Sequence, residues 1–222
     1  LYLRKLPAIE AIGELVGRAV ETRRPVHFTM GQSGSLSSSD GPQLLAGVSI
    51  LSEVATLCAK VDAKLIVVEC HTDLLPLVID TVNTSYQIAG KEVPAETVRY
   101  IPSGFSYTQG DASLIVRERV AANILVGAFT HEAIFFAQAG SDAGAMQIAG
   151  TARTAQIPYL AVMCDYSLIG EDLYAAGAFI SRRPEQVGTL VGEDVLKITV
   201  SLLTILALIL ATLNISWLTN IL

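Results

Sequence analysis

The chain has little of what most catalytic and metal-binding motifs are built from. Its 222 residues include three cysteines, three histidines and one tryptophan, and only 16% of them are charged. An odd number of cysteines without motif spacing argues against a disulfide framework and favours free thiols in a reducing compartment. The formal net charge of −6 argues against a nucleic-acid partner, because such a partner requires a basic face.

Three familiar motifs of nucleotide binding and hydrolysis are also missing. The sequence contains no G-x-G-x-x-G, no P-loop with Gly-Lys-Ser/Thr, and no G-x-S-x-G nucleophile elbow. It has instead a Gly/Ser-rich loop, Gly31–Gly41, between a predicted strand and a predicted helix. The backbone N–H groups of such a loop could bind an anion, and a long flexible or oligomer-contacting loop is the alternative. The loop residues that we name as candidate ligand contacts are Gly31, Gln32, Ser33, Gly34 and Ser35.

What the chain does have is a long segment without charge at its C-terminus. Ile198–Leu222 contains no charged side chain and would form about 37 Å of helix, enough to cross a hydrocarbon core of about 30 Å. The sequence therefore predicts a transmembrane anchor in contact with lipid. Within it, Asn214 favours association with another span and Trp217 marks the far interface.

The beginning of the chain suggests a second span upstream. Leu1–Lys5 combines an aromatic residue with two basic ones, as at the exit of a transmembrane helix, so we expect a preceding span. A plain amphipathic helix is the alternative. By the positive-inside rule, basic residues near both ends predict that the domain faces the cytoplasm, unless they only solvate two helices. These residues are Arg4, Lys5, Arg18, Arg23, Arg24, Arg182, Arg183 and Lys197.

Between the two ends, strand patterns alternate with helical patterns. Strands are predicted at Val26–Met30, Leu65–Cys70, Val98–Ile101, Asn123–Phe129, Ala145–Ala149 and Tyr159–Cys164. Helices are predicted at Pro7–Thr22, Pro42–Ala63, Asp73–Ala89, Phe105–Val120, His131–Ala139 and Gly170–Ser181. The alternation predicts a three-layer, doubly wound and mostly parallel α/β sheet of about six strands. We divide the chain into an N-terminal helix (1–24), an α/β domain (25–183), a linker (184–197) and a transmembrane helix (198–222).

Polar groups follow the second, fourth and sixth predicted strands: Glu69-Cys70-His71, His131-Glu132 and Cys164-Asp165. If those strands were neighbours, the groups could form a Cys/His/Asp metal site or a Cys–His nucleophile pair. The spacing matches no short metal motif, and nothing selects one thiol, so we predict no metal, no cofactor and no catalytic residue. We keep His71, His131 and Asp165 as candidate ligand contacts. The alternative is that Cys70 and Cys164 are small buried residues, while His71 and His131 cap helices or lie on the membrane-facing surface.

The segment Ala121–Ala178 is rich in alanine and glycine. Small residues allow backbones to approach closely, so three interpretations are open. They are packing within the core, a subunit interface, and ligand contact through the loop Ala139–Ala145.

Three segments are informative together: Arg4–Gly13, Gln147–Ala152 and Cys164–Ala176. They resemble an uncharacterised family of prokaryotic membrane-anchored domains of unknown function. The resemblance covers nearly all of the chain ahead of the tail. It implies a Rossmann-like domain in a bacterial or archaeal cell membrane, and it implies no catalytic residues.

These observations favour a non-enzymatic, membrane-anchored domain that self-associates as a scaffold, or serves as a subunit of a larger membrane assembly. One alternative is a cytoplasmic-facing binding module for a nucleotide or another phosphorylated small ligand. A second alternative is a membrane-tethered hydrolase that uses a cysteine or a histidine.

Overall fold

A computed structural model describes residues 6–181 and 184–212 of the chain. The described residues up to Ser181 belong to a first compact unit, and those from Pro184 onward belong to a second. The strands are β1 (Val26–Thr29), β2 (Leu65–Glu69), β3 (Val98–Tyr100), β4 (Ala122–Val126), β5 (Met146–Thr151) and β6 (Tyr166–Ile169). The helices of the first unit are α1 (Pro7–Thr22), α2 (Gly41–Lys60), α3 (Leu75–Ile88), α4 (Phe105–Glu118), α5 (Glu132–Ala143), α6 (Ile157–Met163) and α7 (Glu171–Ser181). The second unit contains α8 (Pro184–Thr212).

The six strands form one sheet in the order β3-β2-β1-β4-β5-β6, and every neighbouring pair is parallel. This confirms the predicted parallel α/β sheet. The chain moves outward from β1 to β3 and then returns to β4 on the other side of β1. The point of reversal therefore lies between β1 and β4, as in a Rossmann-type sheet, and ligands of such folds bind beyond the carboxyl ends of the strands there.

Helices cover both faces of the sheet, as expected for a three-layer fold. One apolar cluster joins the sheet to α1, α2, α3 and α7, and a second joins it to α4, α5 and α6. Every residue of the central strands β1, β2 and β4 is buried. This double burial explains why β2 and β4 have nearly continuous apolar sequences.

The sixth predicted strand, Tyr159–Cys164, is wrong. That segment lies mostly in α6, and β6 follows it at Tyr166–Ile169. Pro158 occupies the first turn of the helix, where its missing N–H does no harm. Only one side of this helix is buried, since Leu160 is 2% exposed whereas Val162 is 86% exposed. A short apolar run does not by itself distinguish a strand from a helix.

Two glycines of Ala121–Ala178 pack tightly inside the first unit. A Cβ atom on Gly177 of α7 would lie 2.9 Å from the Cα and Cβ atoms of Ala46 of α2. A Cβ atom on Gly140 of α5 would lie 2.1 Å from Oε1 of Gln147. Of the three interpretations, core packing accounts for these two glycines.

Among the described residues, one helix is long and apolar enough to cross a membrane, and it is α2. Its most apolar window is 61% buried within the fold. Because α2 packs against α3 and α7 through its buried side chains, it serves as a core helix of the first unit.

In the second unit, α8 runs without interruption through the predicted linker (184–197) and into the predicted transmembrane segment. Its large apolar side chains from Ile198 onward are between 48% and 62% exposed. They are Ile198, Val200, Leu202, Leu203, Ile205, Leu206, Leu208 and Ile209. The rest of the predicted span, with Asn214 and Trp217, lies outside the described residues, as do Leu1–Lys5, Arg182 and Arg183. The transmembrane anchor therefore stays a prediction.

Candidate functional site

The loops that follow β1 and β4 touch each other at the point of strand-order reversal. Gly31 and Gly127 have φ values of 80° and 150°, and a Cβ atom on either would lie within 2.4 Å of a carbonyl oxygen of the other loop. The loops are joined by hydrogen bonds from Ala128 N to Met30 O (2.9 Å) and from Ser33 N to Ala128 O (3.1 Å). Only glycine fits these close approaches. The crevice between the loops is thus bridged by backbone hydrogen bonds.

Glu132, at the start of α5, lies completely buried behind this bridge. Its carboxylate accepts hydrogen bonds from the backbone N–H of Gln32 (3.1 Å) and of Thr130 (3.0 Å), and from both of their side chains. Burial raises the pKa of Glu132, but these hydrogen bonds outweigh the effect and hold the pKa below its ordinary value. A negative charge of the protein itself therefore occupies the place where Rossmann-type folds commonly bind an anion.

Other N–H groups of the Gly31–Gly41 loop are also paired within the protein. Leu36 N donates to the Asp73 carboxylate (2.9 Å), and Ser35 N donates to Oγ of Ser38 (3.0 Å). Asp40 receives two hydrogen bonds from Arg153, at 2.7 and 3.3 Å. The Arg153 guanidinium holds the pKa of Asp40 below its ordinary value. Carboxylates of the protein itself therefore hold the loop, and the loop is not open to the carboxylate of a ligand.

Three side chains with potential metal-binding atoms lie together at the carboxyl end of β2. Oε1 of Glu69 accepts hydrogen bonds from Cys70 N, from His71 N and from Nδ1 of His71, each at 2.8 Å. The Cys70 thiol lies 3.8 Å from Nδ1 of His71 and 3.3 Å from the carbonyl oxygen of Gly31. A carboxylate oxygen, the thiol sulfur and an imidazole nitrogen all lie within 4.8 Å of one another. We call Glu69, Cys70 and His71 the β2-end triad.

Electrostatics differ among the members of the β2-end triad. Burial, together with the charges of Glu69, Glu132 and Asp111, raises the pKa of the Cys70 thiol. Burial lowers the pKa of His71, but the hydrogen bond and charge of Glu69 outweigh that effect and raise it, with a smaller contribution from the Ser33 backbone. At neutral pH the cysteine is therefore a thiol. This does not favour a cysteine nucleophile.

The described part of the chain contains four buried side-chain atoms without a hydrogen-bond partner. They are Oε2 of Glu69, Nε2 of His71, Oδ2 of Asp111 and Oε1 of Gln156. Two of the four belong to the β2-end triad. Buried polar atoms normally have partners, so their concentration here points to a missing ligand.

A row of buried polar side chains crosses the sheet on the α4–α5 side. Gln147 of β5 accepts from Nδ2 of Asn123 of β4 (2.8 Å), and Oδ1 of Asn123 bonds Nδ1 of His27 of β1 (2.8 Å). Nε2 of His27 lies 2.8 Å from Oδ1 of Asp111 of α4. The strand register places the three sheet residues side by side, and all four side chains are buried. This row fixes α4 and α5 on the sheet below the carboxyl edge.

The candidate contacts predicted from the sequence are brought together only in part. Gly31, Gln32 and Ser33 lie beside Glu132 or the β2-end triad, which includes His71. Gly34 and Ser35 lie further along the loop, where a Cβ atom on Gly34 would meet the Asp40 side chain at 2.5 Å.

The other two candidates do not join this site. His131 is exposed, and its neighbour Glu132 is the buried group. Asp165 precedes β6 and so lies at the opposite, amino edge of the sheet, where it accepts a hydrogen bond from Gln147 N (2.7 Å). Cys164 and Asp165 lie between α6 and β6, at the edge opposite the carboxyl ends of β2 and β4, so the metal site considered from the sequence cannot form from those three groups.

The sequence indicated Glu69 and Glu132 only as neighbours of Cys70, His71 and His131 at strand ends, and it did not indicate the row of polar residues. One sequence pattern could have indicated the row of polar residues. His27, Asn123 and Gln147 are each the second residue of an otherwise largely apolar strand.

Comparison with known proteins identifies a family but assigns no activity. No curated protein matches the chain, and no solved structure matches it. The family model that matches is a domain of unknown function, DUF6754, and it extends over residues 1–222. The chain therefore belongs to the DUF6754 family.

Proposed function

We propose that the protein is a membrane-tethered binding module whose α/β unit binds a positively charged ligand at the carboxyl edge of its sheet. The observation that carries the proposal is the buried, unpartnered Oε2 of Glu69 beside the point of strand-order reversal. A buried carboxylate oxygen without a donor favours a cation as its partner.

The distribution of charge around this edge supports a cationic ligand over a phosphorylated one. Glu69, Glu132, Asp73 and Asp40 all contribute carboxylates to the loops there, and Arg153 already pairs with Asp40. A phosphate group would meet these carboxylates, and two of the loop N–H groups that could bind it are already bonded to Glu132 and Asp73. The nucleotide hypothesis therefore receives less support from the geometry than the cation hypothesis.

Thermal unfolding of the full chain in mild detergent tests the ligand class. Divalent metal chlorides and polyamines form one set of additives, and nucleotides and inorganic phosphate form the other. We expect the cation set to raise Tm, because a ligand that binds only the folded state stabilises it by mass action. A rise with nucleotides or phosphate alone would overturn the cation hypothesis.

Membrane attachment through Ile198–Leu222 is the second part of the proposal. It is supported by the absence of charge in that segment and by the exposed apolar side chains of α8 between Ile198 and Ile209. Such a helix needs an apolar surrounding, and a bilayer supplies one on all sides. The basic residues near both ends of the chain favour a cytoplasmic orientation in a prokaryotic cell membrane.

Vesicle flotation of the full chain tests the anchor. Leu208, near the middle of the predicted span, is replaced by Arg in one variant and by Ala in the control. An arginine at the centre of a span costs about 2.5–3.5 kcal/mol on insertion scales, so we expect Leu208→Arg to float less completely than Leu208→Ala. Equal flotation of both variants, or no flotation of the wild type, would contradict membrane insertion.

Self-association as a scaffold, or membership of a larger membrane assembly, stays a second candidate, and α8 is the observation that favours it. Its exposed apolar side chains could contact a like helix as well as lipid, whereas the two glycines discussed above already pack inside the first unit. Native mass spectrometry from nanodiscs tests it. A discrete multiple of 23.6 kDa supports an oligomer, and a single chain mass argues against one.

A further inference from the structure

We propose that the β2-end triad, Glu69, Cys70 and His71, binds one divalent metal ion of the zinc type. The proposal deepens the proposed function, since it names the cation class and the residues that hold it. It does not depend on membrane attachment.

The spacing of the donor atoms is close to what such an ion requires. In a tetrahedral site with Zn–S of about 2.3 Å and Zn–N of about 2.0 Å, sulfur and nitrogen lie about 3.5 Å apart. The Cys70 sulfur and Nδ1 of His71 are 3.8 Å apart, and one donor atom from each of the three residues lies within 4.8 Å of the others. Small side-chain rotations therefore suffice to close the site around an ion.

The Glu69 carboxylate has a free atom that a metal would use. Oε1 of Glu69 already accepts three hydrogen bonds, whereas Oε2 has none and is buried. Nδ1 of His71, the nitrogen that lies 3.8 Å from the Cys70 sulfur, faces the same carboxylate. Coordination through Oε2 and Nδ1 would leave the two backbone hydrogen bonds to Oε1 intact and would replace the hydrogen bond from Nδ1.

The hydrogen bonds of Glu69 also make the site rigid. The N–H groups of Cys70 and His71 both donate to the same oxygen of Glu69, which holds the three residues together directly after β2. Three consecutive residues can thereby direct donors toward one point, although alternating side chains of a regular strand point to opposite faces. The rigid end of a buried strand holds the donors in place without a ligand.

The ionisable groups around the Cys70 thiol are mostly carboxylates, and the His71 imidazole is hydrogen-bonded to one of them. The charges of Glu69, Glu132 and Asp111 all act on the Cys70 thiol. A divalent cation would reduce this repulsion and would favour the thiolate, which is the form that binds metal. On binding, the sulfur–hydrogen bond of Cys70 breaks, the electron pair stays on sulfur to form the metal–sulfur bond, and the proton passes to the buffer.

The chemistry of the donors selects the class of metal. A thiolate with an imidazole and a carboxylate suits Zn²⁺ or Co²⁺, whereas Mg²⁺ and Ca²⁺ prefer oxygen ligands alone. Three protein ligands would leave a fourth position for water or a small molecule, as in zinc sites that are not purely structural.

Titration of the metal-free full chain in detergent with Co²⁺ tests the proposal. We expect one equivalent to bind, with a thiolate-to-cobalt charge-transfer band that Zn²⁺ abolishes by displacement. Cys70→Ser should lose the band, and Glu69→Gln and His71→Gln should weaken binding by at least about tenfold. Matched controls are Cys164→Ser and His131→Gln, which should behave as the wild type. Circular dichroism verifies that each variant is folded.

A second measurement needs no variant. X-ray absorption of the zinc-loaded wild type should show one sulfur at about 2.3 Å together with nitrogen and oxygen at about 2.0–2.2 Å. The absence of stoichiometric binding, a zinc shell without sulfur, or a charge-transfer band that is lost only in Cys164→Ser would overturn the proposal. Because these measurements use detergent-solubilised protein, their outcome is independent of vesicle flotation, so failure of the metal site and failure of the anchor are distinguishable.

Discussion

The tight approach of α5 to the buried polar row makes Gly140→Ala a sharp test of the fold. A Cβ atom at this position would lie 2.1 Å from Oε1 of Gln147 and 2.5 Å from Nδ2 of Asn123. Neither amide can easily move away. Nε2 of Gln147 donates to the carbonyl oxygens of Ala137 (3.0 Å) and Met163 (3.2 Å), and Nδ2 of Asn123 is bonded on both sides.

The size of the effect follows from three contributions. Replacing a glycine inside a helix by alanine stabilises the helix by about 0.5–1 kcal/mol. Overpacking a tight core costs about 1–3 kcal/mol, and a buried amide that loses its partner costs about 1–3 kcal/mol. The free energy of unfolding should therefore fall by about 1–5 kcal/mol. For a chain of this length that lowers Tm by about 2–20 °C.

Gly17→Ala is the matched control, because Gly17 lies inside α1 and a Cβ atom there has no neighbour within 4 Å. The same chemical change should raise the free energy of unfolding by about 0.5–1 kcal/mol. Thermal melts of the full chain in detergent, followed by far-ultraviolet circular dichroism, measure both variants. Gly140→Ala should also cost less in a Gln147→Ala background, where the clash is relieved. Equal Tm changes for Gly140→Ala and Gly17→Ala would refute the close packing of α5 on the polar row.

Three further predictions concern buried polar groups. Because the folded-state pKa of Glu132 is lowered, the stabilisation that its carboxylate provides is complete above its ordinary pKa of about 4.5 and is lost as the pH falls through the folded-state pKa. Glu132→Gln should therefore flatten the acid side of the curve of unfolding free energy against pH, measured by denaturant titrations from neutral pH to about pH 3. An unchanged curve would contradict this. Asp111→Asn keeps a partner for His27, whereas Asp111→Leu leaves its imidazole unpaired, so thermal melts should show the leucine variant less stable by about 1–3 kcal/mol. Burial raises the pKa of Cys58 and Cys164 to about 12, so both should alkylate slowly in the folded chain by peptide mass spectrometry, and rapid labelling would count against their burial.

The alternation of strands and helices was predictable from the sequence because each central strand is buried on both faces. Leu65–Glu69 and Ala122–Val126 contain mostly apolar residues for that reason, and the turns between elements carry glycine or proline. The prediction failed at β6, whose sequence Tyr-Ser-Leu-Ile has one fully buried residue, Leu168. An edge strand with one buried residue gives too weak a pattern to compete with the apolar run of the preceding helix.

Of the candidate site, only the part with a distinctive local composition could be predicted from the sequence. The Gly31–Gly41 loop was recognised by its composition, but its partners are distant in sequence: the Glu132 carboxylate of α5, the Asp73 carboxylate before α3 and the Cys70 thiol after β2. Strand order decides which loops meet, and local sequence does not encode strand order. Glu132 is 100 residues from Gln32, and no spacing rule connects them.

The position of Glu132 also bears on what kind of ligand this sheet can accept. In Rossmann-type folds the N–H groups after the first strand commonly bind a pyrophosphate. Here Gly31 and Gly127 let the two loops pair through their backbones, and Glu132 takes the N–H group of Gln32 that a phosphate oxygen would otherwise use. A ligand phosphate would have to displace a buried carboxylate bonded by four groups, against repulsion from it. The neighbouring end of β2 has the opposite character, since its carboxylate and imidazole keep free atoms. The same strand topology that serves anion recognition elsewhere therefore favours cation recognition in this chain.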